Sequence, residues 1–411
     1  MQDLDQRLAA DARLAPFKGR GGFLFGGLTA AVTLTFVGVI LAVSFILTSR
    51  PGVLAMAIDF RVFWAAGQLA LAGEPLAAHD LVRLGEVHAS YPEAYMPWLY
   101  PPAYLVFVTP LGTMPFSVAF LVWTILSLVV TALAVRPFVA GATPLLVAMT
   151  LAPAYFPTLM LGQNSLYWMA GLLAALAALR AERWILAGVL IGLLTLKPQL
   201  GLMIPIALLA IGAWRTIFAA TATTVALALV PTLFYGIGYW PLLKANLVEH
   251  GERIIYSAGN MKLMVSPMYT LTFLGVEPEL ALQAQWVIIA GAAVAVFALW
   301  RAAKVGFDAK VAGLLIAIML SAPYLWYYEA ALLAAVALFL LRAGILSLRP
   351  AHLPLLGVLW LGGSLQALNT FAGLVGQGWL GPAFIPPVLM ICLGLCLRQV
   401  IAPRATDMKP A

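Results

Sequence analysis

Long apolar runs alternate with short polar breaks along most of the chain, and the runs define the architecture. The first extends from about Phe23 to Leu47. Others occupy about 115–135, 144–160, 165–179, 184–196, 199–212, 216–235, 281–300, 311–321, 327–341, 352–371 and 380–397. A helix needs about 20 predominantly apolar residues to cross a bilayer, and each run is read as a crossing, twelve in all. The first is too long for a signal-peptide core of roughly 7–15 residues, so it is expected to persist as an uncleaved helix. Two polar-rich stretches interrupt the pattern, 49–114 and 237–280. Within the first, the proline-bounded segment Pro101–Met114 is expected to lie at the surface as a short helix. The pattern predicts an all-α polytopic membrane protein with one transmembrane domain over 23–400, between polar tails 1–22 and 401–411.

Composition sharpens this reading. Of 411 residues, 63% are apolar and 9% charged, against about a quarter charged in soluble domains. A soluble enzyme, a disordered chain and a secreted disulfide scaffold are excluded. The formal charge of +7 would suit nucleic acid, but the basic residues stand singly between apolar runs, and no nucleic-acid partner is expected. They report topology instead, because Lys and Arg accumulate on the cytoplasmic side. With the N-terminus inside, Arg7, Arg13, Lys18, Arg20, Arg136, Arg180, Arg183, Arg215, Arg301, Lys304, Lys310, Arg342, Arg349, Arg398, Arg404 and Lys409 fall inside, most of the 23 Lys and Arg. Both long loops then lie outside. Cys392 and Cys396, the two cysteines, sit in an apolar run as core-packing residues.

The polar groups that interrupt apolar sequence collect on that outer side. Asp59 heads Asp59-Phe60-Arg61-Val62-Phe63-Trp64, an amphipathic segment along the interface; the plain role for Asp59 is an N-cap. Gly162-Gln163-Asn164-Ser165 separates two runs, and its plain role is a polar turn. Lys197, before Pro198, divides two short runs of about thirteen residues. Such a break needs protein or water around it and predicts a water-accessible cavity opening outward. An intramembrane cation is a functional candidate by default, although Lys197 could snorkel to the interface. Tyr324-Leu325-Trp326-Tyr327-Tyr328-Glu329 is the last break, readable as an aromatic belt with a solvated glutamate.

The fragments "DFRVFWAAGQLALAGEPLAAHD", "YPPAYLVFVTPLG", "LGQNSLYWMAGLL", "LAGVLIGLLTLKPQLGLMIPIALL" and "SAPYLWYYEAALL", in that order from Asp59 to Leu340, resemble glycosyltransferase family 87. The resemblance implies a GT-C-type fold with a catalytic first extracytoplasmic loop, in a bacterial-type inner membrane. It implies an inverting, polyprenyl-phosphate-dependent hexosyltransferase, with Asp59 as catalytic base and Lys197 on the lipid phosphate. Arg61 is assigned with Lys197 to the donor phosphate, and Gln163, Asn164, Tyr327, Tyr328 and Glu329 to substrate binding. Some members carry histidines in the last motif; His79, His88, His250 and His352 do not fill those positions.

The chemistry is compatible with these assignments. Displacing a phosphate from a sugar carbon requires one carboxylate to take the acceptor's proton, whereas glycoside hydrolysis requires a carboxyl pair. Cations stabilise charge on the departing phosphate. The only Asp-x-Asp spacing, Asp3-Leu4-Asp5, lies in a polar tail, and no Walker loop, HExxH or cysteine cluster occurs, so neither metal nor cofactor is expected. The expected partners are a polyprenyl-phosphate-linked sugar, a lipid or cell-envelope glycan acceptor, and membrane lipids. Two readings from other classes stand beside this one: a secondary transporter and a non-catalytic polyprenyl-lipid binding protein.

Overall fold

The computed structural model describes residues 2–47, 57–88, 96–256, 263–372 and 380–401. Parts of both long loops (49–56, 89–95 and 257–262) and the tail beyond 401, with Arg404 and Lys409, lie outside the described residues. Among the described residues the chain is all helical, without a strand; one isolated bridge pairs Met264 with Trp326. The N-terminal segment read as a polar tail is itself a helix, Gln2–Leu14. Its buried Leu14 joins the core, and Arg13 donates to the Arg342 carbonyl at 2.7 Å.

Among the described residues six helices are long and apolar enough to cross a membrane: Arg20–Val39, Phe116–Phe138, Thr143–Leu161, Trp214–Tyr235, Pro278–Arg301 and Ala383–Ile401. They coincide with six of the twelve expected crossings. Their outward faces carry large apolar side chains such as Phe218, Leu229, Leu233 and Phe234, a surface that lipid tails would cover. Thr143–Leu161 breaks at Pro153, which cannot continue an α-helix without losing a backbone bond; a 3₁₀ turn spans Pro153–Tyr155. The runs at 165–179, 184–196, 199–212, 311–321 and 327–341 form helices of at most 16 residues. At 1.5 Å per residue these reach about 24 Å or less, short of a hydrocarbon core of about 30 Å. Phe307–Ser321 and Leu332–Arg342 are buried on nearly every side. They are apolar all round because protein surrounds them, and a hydropathy pattern does not distinguish that setting from lipid.

A second, smaller core is separate from the main one. It is built on the helix Ile58–Leu71, with Phe60, Phe63, Trp98, Tyr104, Trp123 and Tyr239 buried within it. Pro102–Val108 forms a seven-residue helix continued by a 3₁₀ turn to Thr113, as the proline-bounded segment led one to expect. It packs against Ile58–Leu71 through Gly67 and Gly112. A Cβ on Gly112 would approach Gln68 N to 2.7 Å, so the backbone contact itself excludes a side chain.

Candidate active site

The helix bearing Asp59 begins at Ala57, whose backbone adopts the left-handed conformation (φ 58°) and whose N–H donates to the Met160 carbonyl at 2.7 Å. That conformation costs an L-residue about 1–2 kcal/mol. Ala57, not Asp59, is the N-cap residue. The capping role that the sequence allowed is therefore corrected: Asp59 lies in the first turn, and its Oδ2 accepts a hydrogen bond from Gln163 Nε2 at 2.8 Å.

Gln163 follows Gly162, which has φ 71° and lies so close to the aspartate helix that a Cβ would meet Phe60 Cβ at 2.5 Å. Trp123 Nε1 fixes this turn by donating to the Gly162 carbonyl at 2.9 Å. Asn164 occupies the N-cap position of the helix Ser165–Arg180 but makes no side-chain cap bond. Its Oδ1 instead accepts from Lys197 Nζ at 3.1 Å. The polar turn is real, and its two amides serve tertiary contacts.

Lys197 lies between the 3₁₀ turns Leu194–Leu196 and Pro198–Leu200, where the short helices break as expected. Its Nζ is 2.7 Å from Glu329 Oε1, and the two side chains are 4% and 2% exposed. The ring of Tyr328 lies 5.0 Å from the ammonium. Snorkelling is thereby overturned, as is a solvated Glu329. The break is enclosed by protein, where a cation needs a buried counter-ion. The second carboxylate oxygen of Glu329 accepts from Trp326 N at 3.2 Å, which caps the 3₁₀ turn Tyr327–Ala331. Thr158 Oγ1 holds that turn by donating to the Tyr328 carbonyl.

Asp59, Gln163, Asn164, Lys197 and Glu329 thus form one continuous polar ladder drawn from four segments, with Tyr327 and Tyr328 buried beside it. Arg61 is not on the ladder. Two residues along the helix from Asp59, about 200° round its axis, it places its guanidinium 4.7 Å from the Phe116 ring centroid. Tyr100 and Tyr104 were not among the residues singled out in the sequence. Their rings stack at 4.3 Å. Both lie in a quoted motif, but aromatic residues near a membrane surface carry no mark that separates a site from a core.

Burial pushes the Asp59 carboxyl up from 3.8 to about 6; the Gln163 hydrogen bond and the Lys197 charge oppose this and only partly offset it. Asp59 is partly exposed, while Lys197 and Glu329 behind it are not. The arrangement is a half-accessible carboxylate with a proton affinity near neutrality, oriented by a neutral amide and backed by a closed ion pair. Perturbed groups of this kind concentrate at functional sites.

The sequence model of glycosyltransferase family 87 matches residues 98–323, more than half of the chain. The protein is a member of glycosyltransferase family 87. No curated protein and no solved structure matches it. The matched stretch of this family 87 member includes Gln163, Asn164 and Lys197. Asp59, Arg61 and the Tyr327–Glu329 turn lie outside it, so their place beside those residues rests on the geometry.

Proposed function

We propose that this membrane glycosyltransferase moves one sugar, a hexose such as mannose, from a polyprenyl-phosphate donor to a lipid or cell-envelope glycan acceptor. The site would face the outer side of the inner membrane, with both termini cytoplasmic, as the distribution of Lys and Arg supports. Asp59 takes the proton of the acceptor hydroxyl as its oxygen bonds to the sugar carbon. The bond from that carbon to the phosphate oxygen breaks, its electron pair leaves with the polyprenyl phosphate, and the single displacement inverts the centre. The phosphate is a competent leaving group without a second carboxylic acid. Lys197 and Arg61 are the cations assigned to it, and Gln163, Asn164, Tyr327, Tyr328 and Glu329 line the substrate. At Lys197 the phosphate would share the ammonium with Glu329 and Asn164, which already occupy two of its three donors.

The observation that carries this reading is the Asp59 carboxylate, partly exposed and held by Gln163 at the open end of the ladder. The test incubates purified protein with radiolabelled polyprenyl-phosphate sugars and membrane lipid extract. Label should appear in a new lipid or glycan with the wild type and not with Asp59→Asn. Transfer by the Asn variant at the wild-type rate would remove Asp59 from the mechanism, and absence of transfer from every donor would count against the donor class.

A further inference from the structure

The helix Tyr239–Tyr256 belongs to the second long loop, yet its first residue is built into the core of the first. Tyr239, Leu243, Asn246 and His250 are buried on one face of it, at a spacing of three or four residues that matches one helical stripe. Asn246 Nδ2 donates to the His79 carbonyl at 3.1 Å. The His79 ring meets Tyr239 edge-on at 4.5 Å, so the helix is clamped against the Pro75–His79 turn from two sides.

The Tyr239 side chain is fully buried and its hydroxyl is used twice. It accepts from Trp98 Nε1 at 2.7 Å and donates to the Tyr100 carbonyl at 3.0 Å. Tyr100 in turn stacks on Tyr104. Phe63, one helical turn beyond Asp59, packs edge-on against both Tyr100 and Tyr104, so a shift of Tyr100 would reach the helix that carries the aspartate through packing. A buried hydroxyl that satisfies two groups of another loop fixes their position strongly, because removing it leaves both without partners.

We propose that Tyr239 is a positioning residue for Asp59, acting through Tyr100 and Phe63, so that docking of the second loop sets the orientation of the carboxylate in the first. The proposal rests on Asp59 being the reactive carboxylate of the site. The polar and ring contacts of Tyr239 are with Trp98, Tyr100, His79 and Tyr235.

The test reads Asp59 directly and without substrate. Dicyclohexylcarbodiimide adds to protonated, partly buried carboxyls, and labelling of Asp59 followed by peptide mass against pH gives a midpoint, with Asp59→Asn as the blank. The wild-type midpoint is expected near 6, where burial places the group. In Tyr239→Phe the Asp59 helix loses its support through Tyr100 and Phe63, the carboxylate moves away from Gln163, and the midpoint should rise by about one unit. Tyr100→Leu, which removes the ring packed on Phe63, should raise it similarly, and the double variant no further. A purely structural role for Tyr239 would lower thermal stability and leave the midpoint in place, and that result overturns the proposal. If Tyr239→Phe does not accumulate, Trp98→Phe removes one of the two bonds to the same hydroxyl, and an unmoved midpoint there is equally adverse. Turnover with polyprenyl-phosphate mannose as probe, measured separately, decides whether the transferase reading stands; the labelling midpoint does not depend on it.

Discussion

Asp59→Asn should make the protein more stable at neutral pH while abolishing transfer. The carboxylate occupies a place that disfavours its charge: the folded protein holds its proton up to about pH 6, against 3.8 for the free group. That difference of roughly two units corresponds to about 3 kcal/mol. The sign follows from linkage. Below pH 3.8 both the folded and the unfolded chain are protonated at Asp59, and the site carries no penalty. Between 3.8 and 6 the unfolded chain releases its proton first, so folded stability falls as pH rises, and above 6 the full penalty persists. Asparagine keeps the oxygen that accepts from Gln163 Nε2 at 2.8 Å and has no charge to bury. The assay is thermal or denaturant unfolding in detergent at pH 7.5 and pH 4, beside turnover at pH 7.5. The Asn variant should gain up to about 3 kcal/mol at pH 7.5 and little at pH 4, and lose transfer by the factor of roughly 10²–10⁴ that a general base supplies. A variant destabilised at pH 7.5 would mean that Asp59 is an ordinary stabilising carboxylate, and the assignment of strain to function would be refuted.

Other consequences are equally accessible. The transfer rate of the wild type should fall about tenfold per unit below pH 6, as Asp59 takes up its proton; a rate flat from pH 7 to 5 would exclude Asp59 as the base. Lys197→Met strands the Glu329 carboxylate, which is 2% exposed, and should cost about 3–5 kcal/mol in unfolding experiments. Lys197→Met combined with Glu329→Gln should recover much of that loss, and additive losses would show that the ion pair is absent in the membrane. Gly162→Ala forces a Cβ against Phe60 at a positive φ and should reduce turnover together with thermal stability, whereas an unchanged enzyme would show that the turn relaxes freely. Reporter fusions after Leu47, Gly251 and Tyr324 should read outside, and after Arg136, Arg215 and Arg301 inside; a cytoplasmic Gly251 would invert the topology and the accessible face.

Apolar density along the chain is sufficient to determine that this protein lives in a bilayer and that it is helical, because backbone groups in lipid must be satisfied within their own helix or a closed barrel. The polar interruptions at Asp59, Gln163-Asn164, Lys197 and Glu329 stand out for the same reason: each is expensive among apolar neighbours. Hydropathy does not record what surrounds a run. Phe307–Ser321 reads as a crossing yet is sheathed by other helices, and five such runs are too short to span alone. Nor does it record partners. Lys197 and Glu329 are 132 positions apart in sequence, and only the fold brings them to 2.7 Å, turning an expected snorkelling lysine and a solvated glutamate into one buried pair. Asp59 follows the same rule. In sequence it resembles a helix cap. Tertiary structure gave that place to Ala57 and sent the carboxylate to Gln163, because the left-handed turn at residue 57 and the close approach at Gly162 set the two side chains beside each other.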